Sequence, residues 1–212
     1  MRNFIFTLLA CGSILGVSAQ DSKNITLNAP SKQRGTDIME TFAKRQSYRS
    51  YSTKELSLQD LSDVLWAANG INRPAKGMRT AASAMNFQDI DIYVCTKDGA
   101  YFYDPKGNKL NLIIAEDLRK VVAGGQDYVL DAPVSLVLVS DFSKMNNGNS
   151  EQCHLFGALD AGIVSQNISI ICAGLGLATI PRASMDKVTL SKKLKLKTNQ
   201  VLYLNHPIGF TK

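Results

Sequence analysis

The sequence predicts an α+β fold, with helices packed on a central, mostly antiparallel sheet. Helical and strand-like patterns mix along the chain without a repeated strand-helix unit. Residues 133–140 read Pro-Val-Ser-Leu-Val-Leu-Val-Ser, a continuous apolar run of the kind found in a strand covered on both faces, so this strand is central. Residues 155–173 form a long stretch whose only charged residue is Asp160. Its small residues Ala158, Ala161, Gly162, Ser165, Ser169 and Cys172 allow close helix approach. It reads as a buried helix, with a subunit interface as one place for it.

The remaining elements follow in order. Residues 20–35 are polar and lack a helical period, so they read as an N-terminal tether, with the folded domain over 36–212. Ile38, Met39 and Phe42 share one helical face, and Asp37 and Glu40 are placed to serve that helix's N-terminus, which ends near Arg45. Ser57-x-x-Asp60 is a capping-box pattern ahead of the stripe Leu58, Leu61, Val64, Leu65 and Ala68, stopped by Asn69-Gly70. Residues 91–96 and 100–103, around Lys97-Asp98-Gly99, read as a hairpin. Residues 113–123 read as helical, and 201–204 as a late strand.

With 212 residues, 45% of them hydrophobic and 20% charged, the chain builds one sizeable core and excludes disorder, a fibrous repeat and a multidomain machine. Residues 1–19 follow secretory-signal grammar: Arg2, an apolar stretch over 4–9, and Val17-Ser18-Ala19 before Gln20. The expectation is an exported, periplasmic protein. A competing reading takes Leu8-Leu9-Ala10-Cys11 as a lipoprotein signal, with a lipid anchor on Cys11. No membrane span is expected, because Asp160, Gln166 and Asn167 interrupt the longest apolar stretch.

Losing Arg2 with the signal lowers the formal charge from +6 to +5, and Lys187, Lys192, Lys193, Lys195 and Lys197 carry much of the excess. Such a run describes a solvated face, and no nucleic-acid motif accompanies it. Cys95, Cys153 and Cys172 form no CxxC and no Cys/His cluster, so neither a disulfide framework nor a metal site is indicated. His154 and His206 are the only histidines, which leaves a nucleophilic triad unsupported.

Arg45-x-Ser47-x-Arg49 carries the strongest chemical signal. Alternate residues of an extended chain point the same way, so two guanidinium groups and a hydroxyl can converge on one anion with geometry matched to phosphate. Alone, the same residues also describe two solvated arginines beside a turn.

This segment resembles the flavin-phosphate motif of the nitroreductase family, and three further segments match in order. Residues 80–88, Thr-Ala-Ala-Ser-Ala-Met-Asn-Phe-Gln, are similar to the family's Pro-Ser-x-x-Asn-x-Gln loop. Asp131-Ala132-Pro133 resembles its Ala-Pro strand entry, and residues 173–179 resemble its Gly-Leu-Gly turn. The resemblance implies a homodimer with FMN at the subunit interface. It assigns Arg45, Ser47 and Arg49 to the phosphate and ribityl end. Ser83, Asn86 and the backbone around Ala82 would approach the ring from the other subunit, and backbone N–H groups at Ala183 and Ser184 would lie near flavin N5 and O4.

On the same resemblance the activity is that of an FMN-dependent oxidoreductase acting on a small nitroaromatic, quinone or similar substrate, with flavin N5 carrying the chemistry and no catalytic side chain. NAD(P)H is the family's electron donor, although an exported enzyme needs another source. An exported flavin-binding carrier or sensor without turnover is the alternative. Three departures stand out. Ala82 replaces the loop proline, Ala183 and Ser184 replace the usual acidic or glycine residues, and the chain stops at Lys212, where many relatives supply another basic residue to the phosphate.

Overall fold

The computed structural model describes residues 24–145 and 150–212; the signal segment over 1–19 and Cys11 lie outside the described residues. Strand β1 (Ile25–Thr26) is followed by α1 (Ile38–Lys44) and α2 (Leu58–Asn69). A small hairpin, β2 (Ile71–Arg73) and β3 (Met78–Arg79), precedes β4 (Ile90–Thr96), β5 (Gly99–Asp104) and β6 (Lys109–Ile114). Then come α3 (Arg119–Ala123), β7 (Val134–Asp141), α4 (Glu151–Gly174), β8 (Ala178–Thr179), α5 (Lys187–Lys193) and β9 (Gln200–Gly209).

Seven strands form one sheet in the order β1-β6-β5-β4-β7-β9-β8, and each neighbouring pair is antiparallel. Strand β7 lies inside it, and alternation sends its side chains to two different cores. Leu136 and Leu138 join Val64 and Leu65 of α2 and Val164 and Ile168 of α4. Val137 and Val139 join Leu118, Val122, Leu190 and Leu194 under α3 and α5. Helices therefore cover both faces, which is why the strand can be apolar throughout.

The local signals explain the helix starts. Asp37 accepts the Met39 and Glu40 N–H groups at 3.0 Å each, and Ser57 and Asp60 close a reciprocal capping box on α2. Helix α2 buries Leu61, Val64, Leu65 and Ala68, whereas Leu58 stays exposed. Ile38, Met39 and Phe42 of α1 are all exposed.

Helix α4 runs 24 residues, about 36 Å, with Ser150 as its N-cap. By length and composition it could cross a membrane. In the structure its inner face, with Asp160, Ser165 and Ser169, is packed against the sheet and α2. Gly157 permits the approach to β7, because a Cβ there would sit 2.6 Å from the Ser140 hydroxyl.

The helix expected over 113–123 is shorter, and its first two residues belong to a strand. Residues 109–114 are strand β6, and helix is confined to Arg119–Ala123. The turn after β5 folds β6 back to pair Tyr103 with Leu110, and β1 then pairs Ile25 with the same Leu110. Those partners are invisible to a local periodicity. Upstream of α1, Leu27 enters the main core and Arg34 pairs with both Asp60 and Asp63 of α2. Residues 24–35 are thus stitched to α2 and the sheet edge.

Candidate functional site

Helix α1 ends where the Arg45 N–H bonds the Thr41 carbonyl, and the chain leaves extended. Its course is fixed on both sides. The Tyr48 N–H donates to the Thr179 carbonyl of β8 at 3.0 Å, the buried Tyr51 hydroxyl donates to the Tyr48 carbonyl at 2.9 Å, and the Ser52 N–H donates to Phe210. Arg45, Ser47 and Arg49 stand exposed on this strip, and among the described residues neither guanidinium forms an ion pair or side-chain hydrogen bond.

A cavity of about 330 Å³ opens beside the strip, lined by Lys44, Arg45, Gln46 and Tyr48 on one side and Ala173, Gly176 and Leu177 on the other. The Gly-Leu-Gly turn forms that second wall. Gly176 takes φ +70°, which lets the Leu177 N–H reach back to the Cys172 carbonyl at 2.7 Å. Lys212 pairs with Asp131 at 2.7 Å.

The loop over 80–88 is built differently. Ser83 Oγ accepts the Gln88 N–H at 2.7 Å, and the Ala84 N–H donates to both Asp160 oxygens at 2.9 and 3.1 Å. Met85, Asn86 and Gln88 all hold positive φ, +50°, +57° and +51°, a concentration of backbone strain in one short loop. Gln88 braces it by bonding Arg79, Gly77 and Asn86. Ala82, Met85 and Asn86 are exposed.

Behind this loop Asp160 faces Asp89, both buried, with the Ser140 hydroxyl donating to Asp89 Oδ2. Burial pushes the Asp89 carboxyl well above the ordinary carboxylate range, and the Asp160 carboxylate adds to the shift.

After β8 the chain turns through Pro181 to Ala183 and Ser184, both exposed, whose N–H groups have no acceptor among the described residues. Arg182 between them is buried, and burial pulls its guanidinium below the usual value. Asn205 of β9, also buried, donates to the Arg182 and Ser184 carbonyls.

The structure ties the Arg45–Ser47–Arg49 strip to β8 through the Tyr48–Thr179 bond, and the Ala183–Ser184 turn follows Thr179 four residues further along the chain. It does not bring Ser83 and Asn86 to them within one chain. Ala84 is docked at Asp160, whereas the cavity reaches Ala173, thirteen residues further along α4 and about 20 Å away. Sequence reasoning missed Arg182, Asn205 and Asp89 as participants. Its one available signal was Asp160, the lone charge in an apolar helix.

The match to known proteins covers this whole frame. The nitroreductase family model matches residues 42–210. A crystal structure described as a nitroreductase from Ralstonia eutropha JMP134 is 34% identical, covers 91% of each chain and superposes with a TM-score of 0.84. The chain belongs to the nitroreductase family. As such it is an FMN-dependent oxidoreductase, and the family resemblance read from the four motifs is borne out. Other nitroreductase-like relatives are more distant. A protein described as a nitroreductase from Methanocaldococcus jannaschii is 26% identical over 181 residues, 81% of this chain and 90% of that one. The FMN reductase [NAD(P)H] of Bacillus subtilis is 24% identical over 159 residues, 68% of this chain and 53% of that one.

Proposed function

We propose that the protein is a homodimeric oxidoreductase in which FMN, once bound, supplies N5 as the acceptor and donor of a hydride or electron pair for a small nitroaromatic, quinone or similar substrate. The observation that carries this reading is the pair of guanidinium groups on Arg45 and Arg49, exposed on an extended strip without an ion-pair partner among the described residues. A phosphate needs such a site, and these residues fit one.

Arg45, Ser47 and Arg49 hold the phosphate and ribityl end. The unpartnered N–H groups at Ala183 and Ser184 offer the donors that a ring edge needs. Ser83, Asn86 and the Ala82 backbone close the ring site from the partner subunit. The 20 Å separation along α4 supports that division, because a single chain leaves the two halves apart. Since backbone donors orient the ring, no side-chain acid is needed. The Bacillus relative's name supports NAD(P)H as donor, and the exported location remains part of the proposal.

The visible absorption spectrum of the purified protein, before and after NAD(P)H, tests the assignment. A flavin spectrum that bleaches and returns with a quinone or nitroaromatic supports an enzyme with turnover. Bound flavin that no donor and acceptor pair cycles supports the carrier reading instead. A double Arg45→Ala, Arg49→Ala variant should stay folded and lose FMN, and stoichiometric flavin in it overturns the site.

A further inference from the structure

Arg182 is 6% exposed, yet every group its guanidinium bonds is neutral. Nε donates to the Gln126 side chain at 3.1 Å, and the two terminal nitrogens donate to the carbonyls of Val122 and Ala123 and to Asn205 Oδ1. The Tyr128 ring lies 5.9 Å away. No carboxylate pairs with Arg182 among the described residues. A buried cation without a counter-ion is expensive to keep, and it sits between Pro181 and Ala183 at the edge of the proposed ring site.

Asn205 links that charge to the turn. Its Oδ1 accepts from Arg182 at 2.7 Å, which orients the amide so that Nδ2 donates to the carbonyls of Arg182 and Ser184 at 3.2 and 3.0 Å. Among the described residues no peptide bond is cis, and in a trans peptide the N–H points opposite to the C=O. The Asn205 backbone N–H donates to the same Arg182 carbonyl at 2.7 Å, so backbone and side chain of Asn205 together draw that carbonyl inward and turn the Ala183 N–H outward.

We propose that Arg182 and Asn205 are positioning residues for the flavin: Asn205 aims the Ala183 N–H at the ring edge, and the unneutralised charge of Arg182 behind it favours the reduced flavin. The inference rests on the flavin reading above. Two-electron reduction adds negative charge to the ring, and a fixed cation in a poorly screened setting stabilises that form over the neutral oxidised one.

The midpoint potential of bound FMN, measured by spectroscopic redox titration, tests the charge. Gln126→Glu places a carboxylate on the exposed residue already 3.1 Å from Arg182 Nε, so it neutralises the guanidinium without removing it. The reduced form should lose at least tenfold in relative affinity, about 30 mV for a two-electron couple. Arg182→Gln should shift the potential the same way and Arg182→Lys should restore most of it. If Arg182→Gln fails to fold, Gln126→Glu decides alone. Asn205→Ser, which removes Nδ2 from both carbonyls and leaves the backbone N–H on the Arg182 carbonyl, should weaken FMN binding about tenfold in a fluorescence titration, against the net worth of two hydrogen bonds.

Unshifted potentials in Gln126→Glu, with FMN bound, overturn the electrostatic role. Unchanged FMN affinity in Asn205→Ser overturns the aiming role. A wild-type protein that takes up no FMN overturns the flavin reading and this inference together.

Discussion

Asp160 of α4 and Ala84 of the loop before β4, 76 residues apart, are joined by a carboxylate that accepts one N–H on both oxygens, at 2.9 and 3.1 Å. The loop it anchors holds three non-glycine residues at positive φ, so it does not rest in that shape on local preference. Asp160→Ala leaves the Ala84 N–H without its acceptor, at a cost of about 1–3 kcal/mol. The expected result is that loss in denaturant unfolding together with weaker FMN uptake. Asp160→Asn, which keeps one acceptor oxygen, should lie between. Full FMN affinity in Asp160→Ala would separate the loop from the site.

Asp89 and His206 impose opposite pH dependences on stability. Burial and the Asp160 carboxylate push Asp89 up to about 7, so the folded state holds a proton that the unfolded chain releases near pH 4. That contribution is present below pH 4 and is lost as pH rises towards 7. Asp89→Asn keeps a neutral group and a donor towards Asp160, and should be more stable than wild type above pH 7. Thermal unfolding between pH 5 and 8 checks it, and identical slopes in the two proteins would refute the shared proton.

His206 is fully buried, and Thr179 spends its hydroxyl proton on the Pro207 carbonyl at 2.9 Å. Thr179 Oγ1 therefore accepts from His206 Nδ1 at 3.1 Å, which leaves Nε2 to accept the Ser165 hydroxyl at 2.7 Å. Burial pushes this neutral ring down to about 3. Its contribution is complete above pH 6.5 and is lost as pH falls towards 3, about 2–3 kcal/mol by pH 4.5. Between pH 4 and 6.5 the two residues nearly cancel. His206→Gln should therefore uncover a stability that falls with rising pH, and Asp89→Asn one that falls with falling pH. Parallel curves for both variants would contradict this.

Legibility followed the range of the interactions. The capping box at Ser57 and Asp60 and the two-faced run of β7 are set by neighbours in sequence or by burial on both sides, and both were readable. The helix read over 113–123 began too early, because Ile113 and Ile114 are the end of strand β6, whose partners are the returning β5 and the distant β1. At the site, Arg45 and Arg49 were visible because an exposed extended strip shows its alternation directly. Arg182, Asn205 and Asp89 owe their state to burial by β9, α3 and α4, and no local pattern marks an arginine or asparagine as buried.

The exposed face of α4 carries Leu155, Leu159 and Ile163 at helical spacing, and α1 adds exposed Ile38, Met39 and Phe42. Apolar residues at that spacing on a helix whose opposite face is core form a patch of the kind that marks an interface. The proposed dimer uses it, and a second chain is what can carry a loop docked at Asp160 across the 20 Å to the partner's Arg45 strip. Leu159→Glu should leave the monomer fold intact, since the side chain is 56% exposed and surface changes usually stay within about 0.5 kcal/mol. It should convert the protein to a monomer in sedimentation equilibrium and abolish FMN binding while both arginines remain. A folded Leu159→Glu monomer that binds FMN with wild-type affinity would show that one chain completes the site, and a variant that stays dimeric would place the seam elsewhere.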